Sequence, residues 1–112
     1  TQRGAEAIYT PEGKEQVKAN IRYYMDNVQI LKRALTEFGL RVAGGEDAPY
    51  LWVQAPNGMS SWKFFDKLLY EAHIVGTPGI GFGPSGEGYM RFTGFGKKED
   101  CKEAIYRLRR CL

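Results

Sequence analysis

The sequence predicts an α+β fold in which a small, mostly antiparallel sheet has helices packed on one face. Three observations carry this prediction. Amphipathic helical patterns occupy residues 11–38 and 98–112. Short apolar runs typical of strands lie between them, in two pairs. Because the links within each pair are of the short hairpin type, antiparallel neighbours are favoured. The predicted element order is αββαββα, and the 112 residues have the size of a single domain, 1–112.

The first predicted helix has both an apolar stripe and recognisable ends. Thr10 can cap it, Pro11 suits its first turn, and Gly39 suits a left-handed residue at its C terminus. Apolar runs at 40–43 and 50–54 then predict two strands joined by a loop. The stripe recurs at steps of three and four residues through Val17, Ile21, Tyr24, Val28, Leu31, Leu35 and Phe38.

The second half of the chain predicts a further helix, two strands and the closing helix. Ser60 or Ser61 can cap the middle helix, which is expected to end near Ala72. A brief strand is predicted at 73–75, and the best strand pattern in the chain is Tyr89–Phe95. The closing helix has its acidic residues first and its arginines last, the order that complements a helix dipole.

Charge and cysteine content exclude several classes of function. The net charge of +3 lies entirely in residues 97–112, which hold six basic and three acidic side chains. A helix-dipole arrangement explains this excess better than a surface for nucleic acid or an anionic membrane, so neither partner is predicted. Cys101 and Cys111 lie ten residues apart on one predicted helix, too far for a disulfide, and no metal-ligand motif exists. The sequence shows neither a transmembrane segment nor a signal peptide at residues 1–10.

Arg91 is the strongest candidate for a binding residue. It stands inside an apolar strand, where a charged side chain is costly unless a partner is present. Alternation places it on one face with Tyr89 and Thr93, while Met90 and Phe92 point to the other. A guanidinium held on a strand suits a planar carboxylate through two parallel hydrogen bonds. The alternative is an ordinary solvated arginine on a one-sided sheet.

Glycine is concentrated in one place, because eight of the 14 glycines fall within residues 76–96. Gly81, Gly83 and Gly86 match the GxGxxG spacing of dinucleotide-binding turns. That motif opens a helix, however, whereas here Pro84 interrupts the run and a strand follows. The glycines are therefore interpreted as a loop that needs positive φ or close backbone approach.

Two further candidates have weaker support. His73 has no nucleophile motif around it. It is therefore interpreted as a strand-start or loop residue, and an acid–base role is the less favoured alternative. The aromatic and basic residues from Tyr89 to Lys98 suggest the stacking strand of an RNA-binding sheet. Against this, Tyr89 and Phe92 face opposite sides, and no second aromatic strand of that type is expected. No complete catalytic set is predicted.

Residues 48–96 resemble the C-terminal small domain of the LL-diaminopimelate aminotransferases, pyridoxal-phosphate enzymes of fold type I. The most specific segments are APYLWV, VGTPG and GFGPSGEGYMRF, and the preceding helix and strand are similar to the same family. The resemblance implies that Arg91 binds the α-carboxylate of the substrate. It also implies a homodimeric enzyme that moves an amino group from LL-diaminopimelate to 2-oxoglutarate in lysine biosynthesis, giving tetrahydrodipicolinate and glutamate.

The resemblance also implies what this chain lacks. In the family, the lysine that forms the Schiff base and the residues that hold the phosphate belong to the large domain. None of the eight lysines here matches the Schiff-base motif. The chain alone is therefore expected to bind no cofactor and not to transaminate, with the large domain as its missing partner and residues 1–10 as the tail of the segment between the domains. Because it begins with Thr1 and not methionine, it is expected to be a processed product or a piece of something longer.

Two alternatives stay open at this point. A free-standing α+β domain could use Arg91 for another anionic ligand, or the sheet could bind RNA. The expected location is the cytoplasm, or the plastid stroma if the source is a plant or alga.

Overall fold

In the computed structural model, which describes residues 1–112, helices and strands follow the predicted order with one short helix added at the N terminus. The helices are α1 (Gln2–Ala7), α2 (Pro11–Glu37), α3 (Ser61–Lys67) and α4 (Lys98–Cys111). The strands are β1 (Val42–Gly44), β2 (Tyr50–Gln54), β3 (Thr77–Pro78) and β4 (Tyr89–Thr93). Single 3₁₀ turns occupy Pro56–Gly58, Gly79–Phe82 and Pro84–Gly86, and a π-helical turn, Leu68–Ala72, extends α3.

The four strands form one sheet in the order β1-β2-β4-β3, and every neighbouring pair is antiparallel. Strand β4 is central: it pairs along its whole length with β2, while the two residues of β3 pair with Arg91 and Met90. The predicted antiparallel sheet and the α+β class are confirmed.

Helix α2 begins and ends where its capping residues predict. The Thr10 hydroxyl accepts a hydrogen bond from the Gly13 amide at 3.0 Å, and Gly39 adopts the left-handed conformation with φ of +83°. The apolar stripe is only partly used, however. Val28 is fully buried, whereas Val17 and Ile21, nearer the N terminus, are 37% and 55% exposed. The first turns of α2 therefore extend beyond the core.

The hydrophobic core lies between one face of the sheet and helices α2, α3 and α4. Alternation along β2 and β4 sends every second side chain into it, and the helices cover it from the same side, as predicted. The sheet contributes Leu51, Val53, Met90 and Phe92, and the helices contribute Val28, Leu31, Leu35, Phe64, Leu68, Cys101 and Leu108.

The strand predicted at 73–75 is wrong. His73 is left-handed, with φ of 54°, and it ends the π-helical turn; the Ile74 amide then donates to the Leu68 carbonyl at 3.1 Å. The segment is thus the cap of the middle helix, and pairing to β4 begins only at Thr77. The best-patterned strand also ends earlier than predicted, at Thr93.

None of the helices combines the length and the apolar character that crossing a membrane requires.

Candidate functional site

Arg91 lies on the central strand, on the sheet face that no helix covers. Its neighbours Met90 and Phe92 are 0% and 8% exposed and point into the core, so the alternation expected from the sequence is confirmed. Arg91 itself is half-buried. Because β4 has hydrogen-bonded neighbours on both sides, the backbone that carries this guanidinium is fixed in place.

Aromatic rings surround the guanidinium. The Arg91 Cζ lies over the Tyr50 ring, 4.9 Å from its centroid, and over the Phe82 ring at 4.7 Å. Trp52, directly opposite Arg91 in the β2–β4 register, contacts Phe82 edge to face at 5.8 Å. Trp52 also stacks on Tyr89 with a centroid distance of 5.4 Å. These four aromatic residues, Tyr50, Trp52, Phe82 and Tyr89, are called the aromatic cage below.

No acidic group of the chain neutralises Arg91. The five ion pairs of the structure all involve other residues. Its single side-chain hydrogen bond is from Nη2 to Thr77 Oγ1, at the outer limit of 3.5 Å, and its buried Nε has no partner. A buried N–H without an acceptor is costly, and ring faces do not take up in-plane N–H donors. The unsatisfied donors therefore fit an external planar anion such as a carboxylate.

The glycine-rich loop carries Phe82 to the cage, and its backbone closes on itself where Gly79 meets Gly86. A Cβ added at Gly79 would lie 2.1 Å from the Gly86 carbonyl oxygen, and one at Gly86 would lie 2.0 Å from the Gly79 oxygen. Only glycine allows this contact. Strand β4 follows the loop, as predicted, whereas the glycines of a dinucleotide-binding turn open a helix.

Ser61 fastens the same loop to the start of α3. Its fully buried hydroxyl accepts from the amides of Gly88 at 3.0 Å and Tyr89 at 3.3 Å, and donates to the Gly86 carbonyl at 3.2 Å. Ser60, the other candidate cap, is the actual N-cap and accepts from the Lys63 amide. The two adjacent serines therefore have different tasks.

Two clefts border Arg91, each of about 310 Å³. One lies between Arg91 and the β1–β2 loop, residues 44–48, and includes the acidic side chains of Glu46 and Asp47. Glu46 is bound by Lys32, and this hydrogen bond holds the pKa of the Glu46 carboxyl below its usual value. The other cleft lies between β4 and α4, and Cys101 lines it.

The remaining candidates lie away from Arg91 or cannot act as suggested. His73 is exposed at the end of the middle helix, in a separate cleft beside α4. Phe92 lies in the core, so it offers no ring to RNA. The expectation that no second aromatic strand exists is wrong, because Tyr50 and Trp52 on β2 share the face of Tyr89. The Trp52 and Tyr89 rings stack on each other, however, which covers one face of each.

The surroundings of both cysteines disfavour ionisation of the thiol. Burial raises the pKa of the Cys101 thiol and is the largest influence raising that of Cys111. Neither forms a disulfide, as expected from their spacing, and no group of three or more potential metal ligands occurs.

Sequence reasoning identified Arg91 but missed Phe82, Tyr50 and Trp52 as its neighbours. Alternation along β4 shows which face Arg91 occupies. It does not show that β2 is the neighbouring strand or which β2 residues lie opposite Arg91. Phe82 had one available signal, since it is the only aromatic side chain among the glycines of the loop that precedes β4.

Comparison with known proteins places the chain among aminotransferases. The model of the family "aminotransferase class I and II" matches residues 1–108. The LL-diaminopimelate aminotransferases of Phocaeicola vulgatus and Bacteroides fragilis (strain YCH46) are 68% and 64% identical, over 100% and 97% of this chain. The chain spans 27% of the length of each of these relatives.

Solved structures agree with the sequence comparisons. L,L-diaminopimelate aminotransferase from Chlamydomonas reinhardtii superposes with a TM-score of 0.89 at 46% identity, covering 93% of this chain and 25% of that one. The aromatic aminotransferase of Pyrococcus horikoshii gives 0.88 at 29% identity, covering 95% and 29%. The resemblance seen in the sequence is therefore confirmed, and the chain belongs to the class I and II aminotransferases.

Proposed function

We propose that this chain is the C-terminal part of a pyridoxal-phosphate-dependent LL-diaminopimelate aminotransferase, and that Arg91 binds the α-carboxylate of the substrate. The observation that carries the proposal is the half-buried guanidinium on β4, which has no acidic partner in the chain. The choice of substrate rests on the relatives at 68% and 64% identity, both of which bear that name. The reaction is transfer of an amino group from LL-diaminopimelate to 2-oxoglutarate.

The part that Arg91 plays follows from its geometry. Two N–H groups of one guanidinium edge can bind both oxygens of a carboxylate, which fixes the carboxylate plane as well as its position. With the carboxylate held, the substrate Cα has little rotational freedom, so its C–H bond is presented in one orientation for proton removal. Arg91 is thus a binding and orienting residue, and it transfers no proton itself.

The residues of this chain do not by themselves fit pyridoxal phosphate. A cofactor of this kind needs a lysine amine and a set of donors for its phosphate. No lysine lines either cleft beside Arg91, and Arg91 is the only cation in both. The family implies the cofactor in the complete enzyme, where it supplies electron withdrawal from the substrate Cα. We assign its binding groups to parts of the enzyme outside this chain.

The main partner proposed is the large domain of the same enzyme. Beyond the open face around Arg91, the chain exposes apolar side chains between α1 and α2 and on the N-terminal half of α2, including Ile8, Tyr9 and Ile21 at 50%, 74% and 55%. Exposed apolar residues grouped in this way are typical of an interface. Residues 1–10 would form the tail of the inter-domain segment, and the complete enzyme would be a cytoplasmic homodimer. Nothing supports a plastid location.

The proposal is tested by Arg91→Lys in the complete enzyme that contains this segment. Lysine keeps the charge but cannot form two parallel hydrogen bonds, so kcat/KM for LL-diaminopimelate is expected to fall by about 10- to 100-fold, the loss of one charge-assisted hydrogen bond. The matched control is Arg110→Lys, because Arg110 also lies over an aromatic ring, Tyr106, but on α4. If Arg91→Lys were as active as the control, the carboxylate assignment would be wrong.

A second measurement tests the chain by itself. Pyridoxal phosphate added to the 112-residue chain is expected to give no stable new absorption band in the visible range, because no lysine lies beside Arg91. A stable band that disappears when one lysine is changed to arginine would show that a Schiff-base lysine is present after all.

A further inference from the structure

We propose that Phe82 is a positioning residue for Arg91: the glycine-rich loop places its ring against the guanidinium and holds it in the orientation that receives the carboxylate. This inference rests on the proposed function of Arg91 and adds to it a second residue, one that acts through Arg91 and does not itself bind the substrate.

Within this chain, Arg91 lacks the hydrogen bonds that usually orient an arginine. An arginine that binds an anion is commonly held by hydrogen bonds to other residues. Here the only such bond is the 3.5 Å contact with Thr77 Oγ1, and Nε has none. Arginine side chains have large conformational freedom, so some other contact must limit it. Within this chain, the guanidinium also lies over the rings of Tyr50 and Phe82, at 4.9 and 4.7 Å from their centroids.

Within this chain, the Phe82 ring has no contact that points to another role. Its side chain is 53% exposed and takes no part in the core. Apart from Arg91, its ring contacts Trp52, edge to face at 5.8 Å. Trp52 in turn stacks on Tyr89, so the ring of Phe82 is supported from the sheet. An exposed phenylalanine supported on one side and facing a cation on the other fits a positioning role.

The backbone of the glycine-rich loop places the Phe82 ring beside Arg91. The backbone contact between Gly79 and Gly86 closes the loop, and Ser61 fastens its C-terminal end. Phe82 stands between Gly81 and Gly83, where an added Cβ would meet nothing within 4 Å. The base of the loop is therefore tight while the residues beside Phe82 have space, so the ring can settle on the guanidinium without strain.

A ring on the guanidinium face has a defined consequence for binding. It leaves the in-plane N–H donors free and blocks flat ligands from stacking on that face. Without the ring, Arg91 would sample more orientations, and the carboxylate would have to select the productive one. Substrate affinity would weaken, whereas the step after binding would change little, because the bound carboxylate then holds the guanidinium itself.

The test is made in the complete enzyme with Phe82→Leu, Phe82→Tyr and Tyr106→Leu. Tyr106 is the matched control, an exposed aromatic over an arginine, Arg110, on α4. Phe82→Leu is expected to raise KM for LL-diaminopimelate by roughly 2- to 30-fold, the range of a cation–π contact, and to change kcat by less than about twofold. Phe82→Tyr, which keeps the ring, is expected to restore KM, and Tyr106→Leu to leave it unchanged.

A double variant separates this inference from the proposal on which it rests. In an Arg91→Lys background, Phe82→Leu is expected to add no further increase in KM, since Phe82 acts through Arg91. The inference is overturned if Arg91→Lys impairs the enzyme but Phe82→Leu behaves like Tyr106→Leu, or if the effects of Phe82→Leu and Arg91→Lys on KM multiply. If Arg91→Lys itself has no effect, or the parent enzyme does not use LL-diaminopimelate, the proposed function fails and this inference fails with it. Melting temperatures check that every variant folds.

Discussion

Ser61→Ala tests how the loop that carries Phe82 is held to the rest of the fold. The substitution removes one hydroxyl and with it three hydrogen bonds, to the Gly86 carbonyl and to the amides of Gly88 and Tyr89. Each bond contributes about 1 kcal/mol on average, and a buried group left without a partner costs about 1–3 kcal/mol. Because the two amides are only partly buried and regain some hydration, the expected loss is about 2–4 kcal/mol in the free energy of unfolding.

The adjacent serine provides the control. Ser60 is the N-cap of α3, and its hydroxyl accepts one hydrogen bond, from the Lys63 amide at 3.3 Å. Ser60→Ala is therefore expected to lose about 1 kcal/mol, a usual value for a cap. Both variants keep the same helix and differ only in which contact is lost.

Urea unfolding of the 112-residue chain, followed by circular dichroism, measures the comparison. The midpoint of Ser61→Ala is expected at a clearly lower urea concentration than that of Ser60→Ala, with similar slopes. If Ser60→Ala were as destabilising as Ser61→Ala or more so, the three bonds of Ser61 would not be holding the loop, and the reasoning would be refuted.

Three further predictions concern other parts of the structure. Gly79→Ala places a Cβ 2.1 Å from a backbone oxygen across the loop and is expected to lower the free energy of unfolding by about 1–3 kcal/mol. Gly81→Ala, with open space around it, should change that free energy by no more than about 0.5 kcal/mol. Equal urea midpoints for the two variants would contradict the close approach. Phe64→Ala empties a fully buried core position and should cost about 3–5 kcal/mol in the same assay; a loss below 1 kcal/mol would show that Phe64 is not in the core. The hydrogen bond from Lys67 lowers the pKa of Glu71 below its ordinary value of 4.5, so the pair contributes stability above that pH and loses it as the pH falls through the lower folded pKa. Thermal melts between pH 6 and 3 should therefore fall less steeply for Glu71→Gln, and an unchanged slope would argue against the pair.

The sequence was sufficient for the parts of the fold that depend on local signals. Helix α2 begins at Pro11 because Thr10 caps it, and the two faces of β4 follow from alternation alone. The strand predicted at 73–75 failed because Ile74 and Val75 are β-branched, a strand signal, while a left-handed histidine before them closes the helix. A non-glycine residue in that conformation has little sequence signature.

The candidate site could be predicted only in its central residue. Arg91 was identifiable because a charge in an apolar strand is unusual. Its aromatic neighbours were not, because Tyr50 and Trp52 reach it through the β2–β4 register and Phe82 through a loop path. That path is set by the Gly79 backbone contact across the loop, which no periodicity encodes.

The parts of the site around Arg91 also differ in how freely their backbone can move. Arg91, Trp52 and Tyr89 belong to strands with hydrogen-bonded neighbours, so their backbone can shift only when part of the sheet opens. Phe82 belongs to a loop, and the glycines on either side of it, Gly81 and Gly83, have free space around them. Hydrogen exchange should accordingly be slower at the Arg91 amide than at the Gly83 amide, whose hydrogen bond to the Ile80 carbonyl only closes a single 3₁₀ turn. The sheet thus fixes the backbone that carries the cation, whereas the ring that orients the guanidinium is carried by the segment of the site with the most freedom to adjust.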